Sequence, residues 1–186
     1  MKWVGKKQAG FTLIEVLVVV IVIGILATIG VANYSGAQAR ARDTEREADA
    51  RSLAQALELH VASNNAYPIE VTPTIFGVNV NRDMFKGPGE TAENSVVSLG
   101  NNNDMAIPAS VTRNSYLYIP FVNGPTASIN NASCGSSAVA GVPCDSFAVV
   151  FFNEQSGEWR WFTSRNYPPP ASRLTQIREA LAGRGL

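Results

Sequence analysis

The chain has 186 residues, with 15 basic against 15 acidic side chains, one histidine and two cysteines. That length holds one modest domain plus a separate helix, and the balanced charge gives no general reason to bind nucleic acid, which needs a surplus of Lys and Arg. One histidine, no nucleophile motif, no Gly-rich phosphate loop and no paired acids outside a charged helix argue against an enzyme. No catalytic residue, cofactor or metal is therefore expected.

Lys2, Lys6 and Lys7 open the chain, and an apolar stretch from Phe11 to Ala32 follows them. A basic start before an apolar core is how a signal sequence begins. The small pair Ala9-Gly10 lies before that core, however, so cleavage there would keep the apolar segment in the mature protein. The stretch suffices for one membrane span of about 20 residues. Charge asymmetry keeps the basic leader cytoplasmic and puts everything after Tyr34 outside. Loss of residues 1–10 removes three lysines, leaving 12 basic against 15 acidic side chains, a net of −3. Glu15 is the odd residue. A charge at the bilayer centre costs ~2.5–3.5 kcal/mol on insertion scales, which makes it a functional candidate. Snorkelling to the headgroups from a plain anchor helix is the alternative.

The run Gly10-Phe11-Thr12-Leu13-Ile14-Glu15 behind a basic leader resembles the type IV pilin and pseudopilin family, over Lys6 to Ile29. The resemblance implies that a membrane peptidase, the prepilin peptidase, cuts between Gly10 and Phe11 and methylates the new N-terminal Phe11. It implies that Glu15 neutralises the N-terminal amine of a neighbouring subunit as filaments form. Pairing removes most of the penalty that a buried carboxylate and a buried ammonium each carry alone. The sequence departs from the family at Ala32, near where many pilins carry a helix-bending Pro. Only Gly24 and Gly30 are there to loosen this helix.

Further along, residues 37–63 contain no Pro and only good or neutral helix formers, so one helix of about 80 Å over residues 11–63 is expected. Its middle, residues 40–51, carries four arginines and four acids. Arg42/Glu45, Asp43/Arg46 and Glu47/Arg51 stand at helical spacing, which reads as a solvated, self-paired face or as pairs between subunits. Ala50, Leu53, Leu57 and Val61 form an apolar stripe that should seat a globular head. His60 reads as a helix-surface residue. The helix should end near Asn64-Asn65, since Ala66-Tyr67-Pro68 forces extended backbone.

Residues 67–113 show little periodicity and read as a long connection with one short helical turn around 82–86. The cluster Asn101-Asn102-Asn103-Asp104 lacks the carboxylate alternation of a calcium loop and reads as a turn. Strands are expected at 115–121, 146–153 and 158–163 from their β-rich composition, with a turn at 154–157. Cys134 and Cys144 sit ten positions apart in a Gly/Ser/Ala-rich segment. In an exported chain they should form a disulfide, whose loop closure is worth about 3 kcal/mol in the chain-entropy model. Two reduced surface thiols are the alternative, and a metal site would need further ligands. Trp159 and Trp161 share one strand face, either packed on the helix or tail, or open as a binding platform. With Arg160 and Arg165 they are the only hint of nucleic-acid capture. After Pro168-Pro169-Pro170, Ser172 reads as an N-cap and Leu174, Ile177 and Leu181 as one apolar face of a short helix stopped by Gly183. Such a helix must dock, either on its own sheet or on a neighbouring subunit.

These readings combine into an α+β, pilin-like chain with a long transmembrane-plus-amphipathic helix packed on a small antiparallel sheet. Leader 1–10, transmembrane half 11–34, extracytoplasmic half 35–66, head 67–167 and a Pro-rich linker with a short helix at 168–186 are its expected parts. The implied role is a structural subunit of a type IV pilus-like filament; the alternatives are a type II secretion pseudopilin and a minor pilin that binds DNA or surfaces. Its implied partners are copies of itself or related subunits, the prepilin peptidase, an inner-membrane assembly platform and, before assembly, the lipid bilayer. Its implied location is the cytoplasmic membrane with an extracytoplasmic head, then a cell-surface filament.

Overall fold

A computed structural model describes residues 10–77, 81–99, 107–122, 132–134, 142–165 and 171–186; within these, the side chains of 29–33, 132 and 133 are not described. The chain divides into two compact units, Met1–Ala39 and Arg40–Leu186. Helix α1 (Leu13–Asn64) begins in the first and ends in the second. Its end is set by Asn65, which adopts φ 58° and donates its N–H to the Val61 carbonyl at 2.8 Å. Asparagine tolerates that left-handed stop better than most residues do.

Among its described residues the second unit carries a 3-10 turn, η1 (Arg82–Phe85), five strands and a C-terminal helix, α2 (Ala171–Gly183). The strands are β1 (Val96–Ser98), β2 (Tyr116–Val122), β3 (Ala132–Ser133), β4 (Ser146–Asn153) and β5 (Glu158–Thr163). They run in the order β1-β2-β4-β5, with β3 also paired to β2. The antiparallel β2-β4-β5 meander falls where expected. In contrast, β1 lies parallel to β2, so the sheet is mixed rather than purely antiparallel. Three residues are too few to show a period of two, which is why β1 was hidden in a stretch read as connection. Gly87 helps bring that stretch in close: a Cβ there would collide with the Asn114 carbonyl, and its N–H donates to Ser95 Oγ at 2.7 Å.

Both faces of the sheet are covered. Tyr116, Tyr118, Phe147, Val149 and Phe151 pack against Ala50, Leu53 and Leu57 of α1. On the opposite face, Leu117, Ile119, Phe121, Val150 and Trp159 pack against Leu174, Ile177 and Leu181 of α2. This sandwiching explains why β2 and β4 are apolar at consecutive positions: each residue meets one helix or the other. The expected stripe on α1 is thus core, and α2 docks on its own sheet. That helix begins at Ala171, so Ser172 lies inside it rather than capping it. The Pro-rich linker at 168–170 and the polar cluster at 101–104 lie outside the described residues.

Candidate functional site

The first unit presents the segment that the sequence singles out. Gly10 is exposed with open space around its Cα, and Phe11 is 89% exposed. Thr12 stands just before the first helical residue. Its N–H donates to Glu15 Oε2 at 2.8 Å and its hydroxyl donates to the same oxygen at 2.7 Å. In return the Glu15 N–H donates to Thr12 Oγ1 at 3.3 Å. Ser/Thr followed three residues later by Glu is a capping box, in which two otherwise orphaned amides are satisfied reciprocally. Glu15 therefore has a local duty at the helix start that the sequence reading did not assign. Its second oxygen, Oε1, makes no hydrogen bond among the described residues.

Behind this cap, Leu13, Ile14, Val16 to Val20, Ile21, Val22, Ile23, Ile25 and Leu26 are all exposed. So large an apolar surface on one unit marks contact with lipid or with other protein. Among the described residues, however, no helix is long and apolar enough to cross a membrane. The apolar turns with described side chains, residues 13–28, extend only about 24 Å at 1.5 Å per residue, short of a hydrocarbon core of about 30 Å. The span expected over residues 11–32 therefore does not emerge from the described part of α1 alone.

Residues 5–31 match the family described as the prokaryotic N-terminal methylation motif. Over 63 residues the chain is 40% identical to type II secretion system core protein G of Aeromonas hydrophila, covering 34% of this chain and 44% of that protein. Core protein G of Vibrio cholerae is 41% identical over 63 residues (34% and 43% of the two chains), and that of Escherichia coli 39% over 62 (33% and 43%). The N-terminal segment thus carries the methylation motif and is similar to that of these secretion proteins. The match spans less than half the length of these relatives. No solved structure matches the chain.

Beyond the pilin-type segment, the charged middle of α1 behaves differently from expectation. Asp43/Arg46 and Glu47/Arg51 do pair along the helix, at 3.3 and 3.0 Å. Arg42 turns away from Glu45 and pairs with Glu154 of the β4–β5 turn at 2.7 Å. Arg46 is 1% exposed, and its Nη2 donates to Glu154 Oε1 at 2.6 Å and to Asn114 Oδ1 at 2.9 Å. Asp43, also buried, accepts the backbone N–H groups of Glu154 and Gln155 at 2.7 and 3.0 Å. Three of the eight charges on that face, Arg42, Asp43 and Arg46, thus form a clasp that holds the turn, which Gly157 closes at φ 66°. The hydrogen bond from Arg42, supported by Arg46, holds the Glu154 carboxyl down at about 2. Burial beside the sheet pushes Asp49 up, although the Tyr116 hydroxyl donates to it at 2.8 Å.

Cys134 and Cys144 are disulfide-bonded, with Cα atoms 5.8 Å apart. They are buried in the core between α1 and the sheet, not on the surface. The Tyr67 N–H donates to the Cys144 carbonyl at 2.9 Å, so the staple also anchors the chain leaving α1. Trp159 is buried against Phe152 and α2, whereas Trp161 is 37% exposed, so the two do not form one open platform. His60 is half-buried and stacks edge-on against Phe76. Among the described residues no group of three His, Cys, Asp or Glu could hold a metal ion.

Proposed function

We propose that the chain is a structural subunit of a type IV pilin-like filament. It enters the membrane by its N-terminal segment, loses residues 1–10 to a prepilin peptidase and assembles through α1. The observation that carries this reading is the methylation motif placed on a capped helix start whose apolar side chains have no partner in their own unit. A soluble domain would not leave that surface bare. Residues 29–32 continue the apolar sequence and, with 11–28, supply the length for an inner-membrane anchor with an extracytoplasmic head. Cleavage falls between Gly10 and Phe11, and Phe11 carries the methyl group. Glu15 then has two roles, one oxygen capping its own helix and the other meeting a neighbour's N-terminal amine in the apolar filament core. The reading is non-enzymatic.

A type II secretion pseudopilin is the second reading, favoured by relatives that carry the name core protein G of that system. Intact-mass measurement of the chain recovered from membranes tests the processing step. A mature chain that starts at methylated Phe11 supports the proposal, and one that retains residues 2–10 refutes it. Loss of surface fibres without a secretion defect in a deletion strain favours the pilus, and a secretion defect with surface fibres intact favours the pseudopilin.

A further inference from the structure

Two flanks of α1 in the second unit carry charges without an ion-pair partner among the described residues. On one flank, α1 and the β4–β5 hairpin bound an open groove of about 960 Å³. Arg40 and Arg160 line it, both exposed, and neither guanidinium has a carboxylate partner among the described residues. The other charges of the groove are matched: Glu47 holds Arg51, and Asp43 holds Arg46 and the turn amides. The groove is therefore left with two uncompensated positive charges. On the other flank stands Glu45, exposed and without a cation partner among the described residues. Asp49 lies one turn on, and both Glu45 and Asp83 add to the burial that raises its pKa, which marks the three acids as neighbours. Asp83 is already held by Lys86 at 2.8 Å, which leaves Glu45 as the unmatched acid.

At 100° per residue, Arg40 lies about 140° around the helix from Glu45, with Ala48 and Ser52 forming the edge of the groove nearer to Glu45. The seam that packs on the sheet lies between the two flanks. A single molecule cannot bring these charges together, but two molecules can.

We propose that the head docks on a second copy of this chain, the Arg40–Arg160 groove of one copy receiving the Glu45 flank of the next. This rests on the filament reading and deepens it by naming a lateral contact of the head. The two patches are different surfaces, so the contact is heterologous: repeated, it builds an open chain rather than a closed pair. Exposed pairs of this kind fix register and partner more than they drive association. The attraction comes from the apolar surface of the first unit.

The test uses the full-length chain in producing cells. Ala41→Cys, one turn before Glu45, and Ser156→Cys, on the groove wall, keep the proposed charges and are combined and treated with a short bismaleimide, to which the disulfide-bonded native pair is inert. The expected result is a ladder of dimers, trimers and higher species, while cells making the two single-cysteine chains together yield dimers only. A double variant that stays monomeric, or stops at dimers, overturns the docking. Sedimentable filaments are measured in the same cells before cross-linking. Filaments without a ladder sink the docking alone, and neither filaments nor ladder sinks the filament reading with it. Separately, Arg40→Glu with Arg160→Glu should lower filament yield about three- to tenfold, the range of one or two exposed pairs. Adding Glu45→Arg to that background should restore the yield, and failure to restore it overturns the pairing.

Discussion

Replacing Asp43 by Ala should unfasten the β4–β5 turn from α1, and the structure sets the size of the effect. Asp43 accepts the Glu154 N–H at 2.7 Å, the Gln155 N–H at 3.0 Å and a longer bond from Arg46 at 3.3 Å. Hydrogen bonds to a charged group are each worth about 1.5–3 kcal/mol, so the two short ones together bound the loss at about 3–6 kcal/mol. Gln155 is exposed, so water can take over part of its bond. Arg46 keeps Glu154 at 2.6 Å and Asn114 at 2.9 Å, so its charge is not orphaned. The effect should therefore fall at about 2–4 kcal/mol, below that of breaking a buried ion pair outright. Asp43→Asn retains one acceptor oxygen and should lose about half as much. Urea unfolding of the detergent-solubilised chain, followed by tryptophan fluorescence, reads this out because Trp159 is buried between the sheet and α2. With a urea slope of about 1–3 kcal/mol per molar, the Ala variant should unfold about 0.7–4 M earlier. A midpoint shift below about 0.3 M would refute the clasp, since the turn would then be held by the sheet alone.

Acid should act through Glu154. Its folded pKa lies at about 2, depressed by Arg42 and Arg46, whereas the unfolded carboxyl titrates near its ordinary 4.5. The stabilisation is thus fully present above pH 4.5 and is lost as pH falls from there through about 2. Glu154→Gln should flatten this acid limb in a pH series of unfolding midpoints, and an unchanged limb would argue against the Arg pairing. On the other face, Ile177→Ala removes a side chain that is 2% exposed between α2 and the sheet. It should cost about 2–4 kcal/mol and speed tryptic cleavage at Arg173 and Arg178. Cleavage no faster than in the parent chain would show that α2 docks without it.

Much of this molecule was legible before any tertiary contact was known, because its signals are local. The methylation motif, the Asn64-Asn65 stop of α1, the 3.6-residue stripe through Leu53 and Leu57, and the strands at 146–153 and 158–163 each depend on a few consecutive residues. The face of α2 is of the same kind, since Leu174, Ile177 and Leu181 declare it by spacing alone. Tertiary structure decided matters that depend on residues far apart in the chain. Arg42 and Glu154 are separated by 112 positions, so no helical spacing could show that Arg42 would leave Glu45 for the turn. The burial of Arg46 likewise needed Asn114 and Glu154 to arrive together. Strand β1 became a strand only because Tyr116 and Tyr118 offered backbone partners at its two ends. The disulfide was predictable as a bond, but its place in the core came from the Tyr67–Cys144 bridge. Local spacing reports the backbone state and the buried face of an element, whereas partner choice among charges depends on which loop arrives beside them.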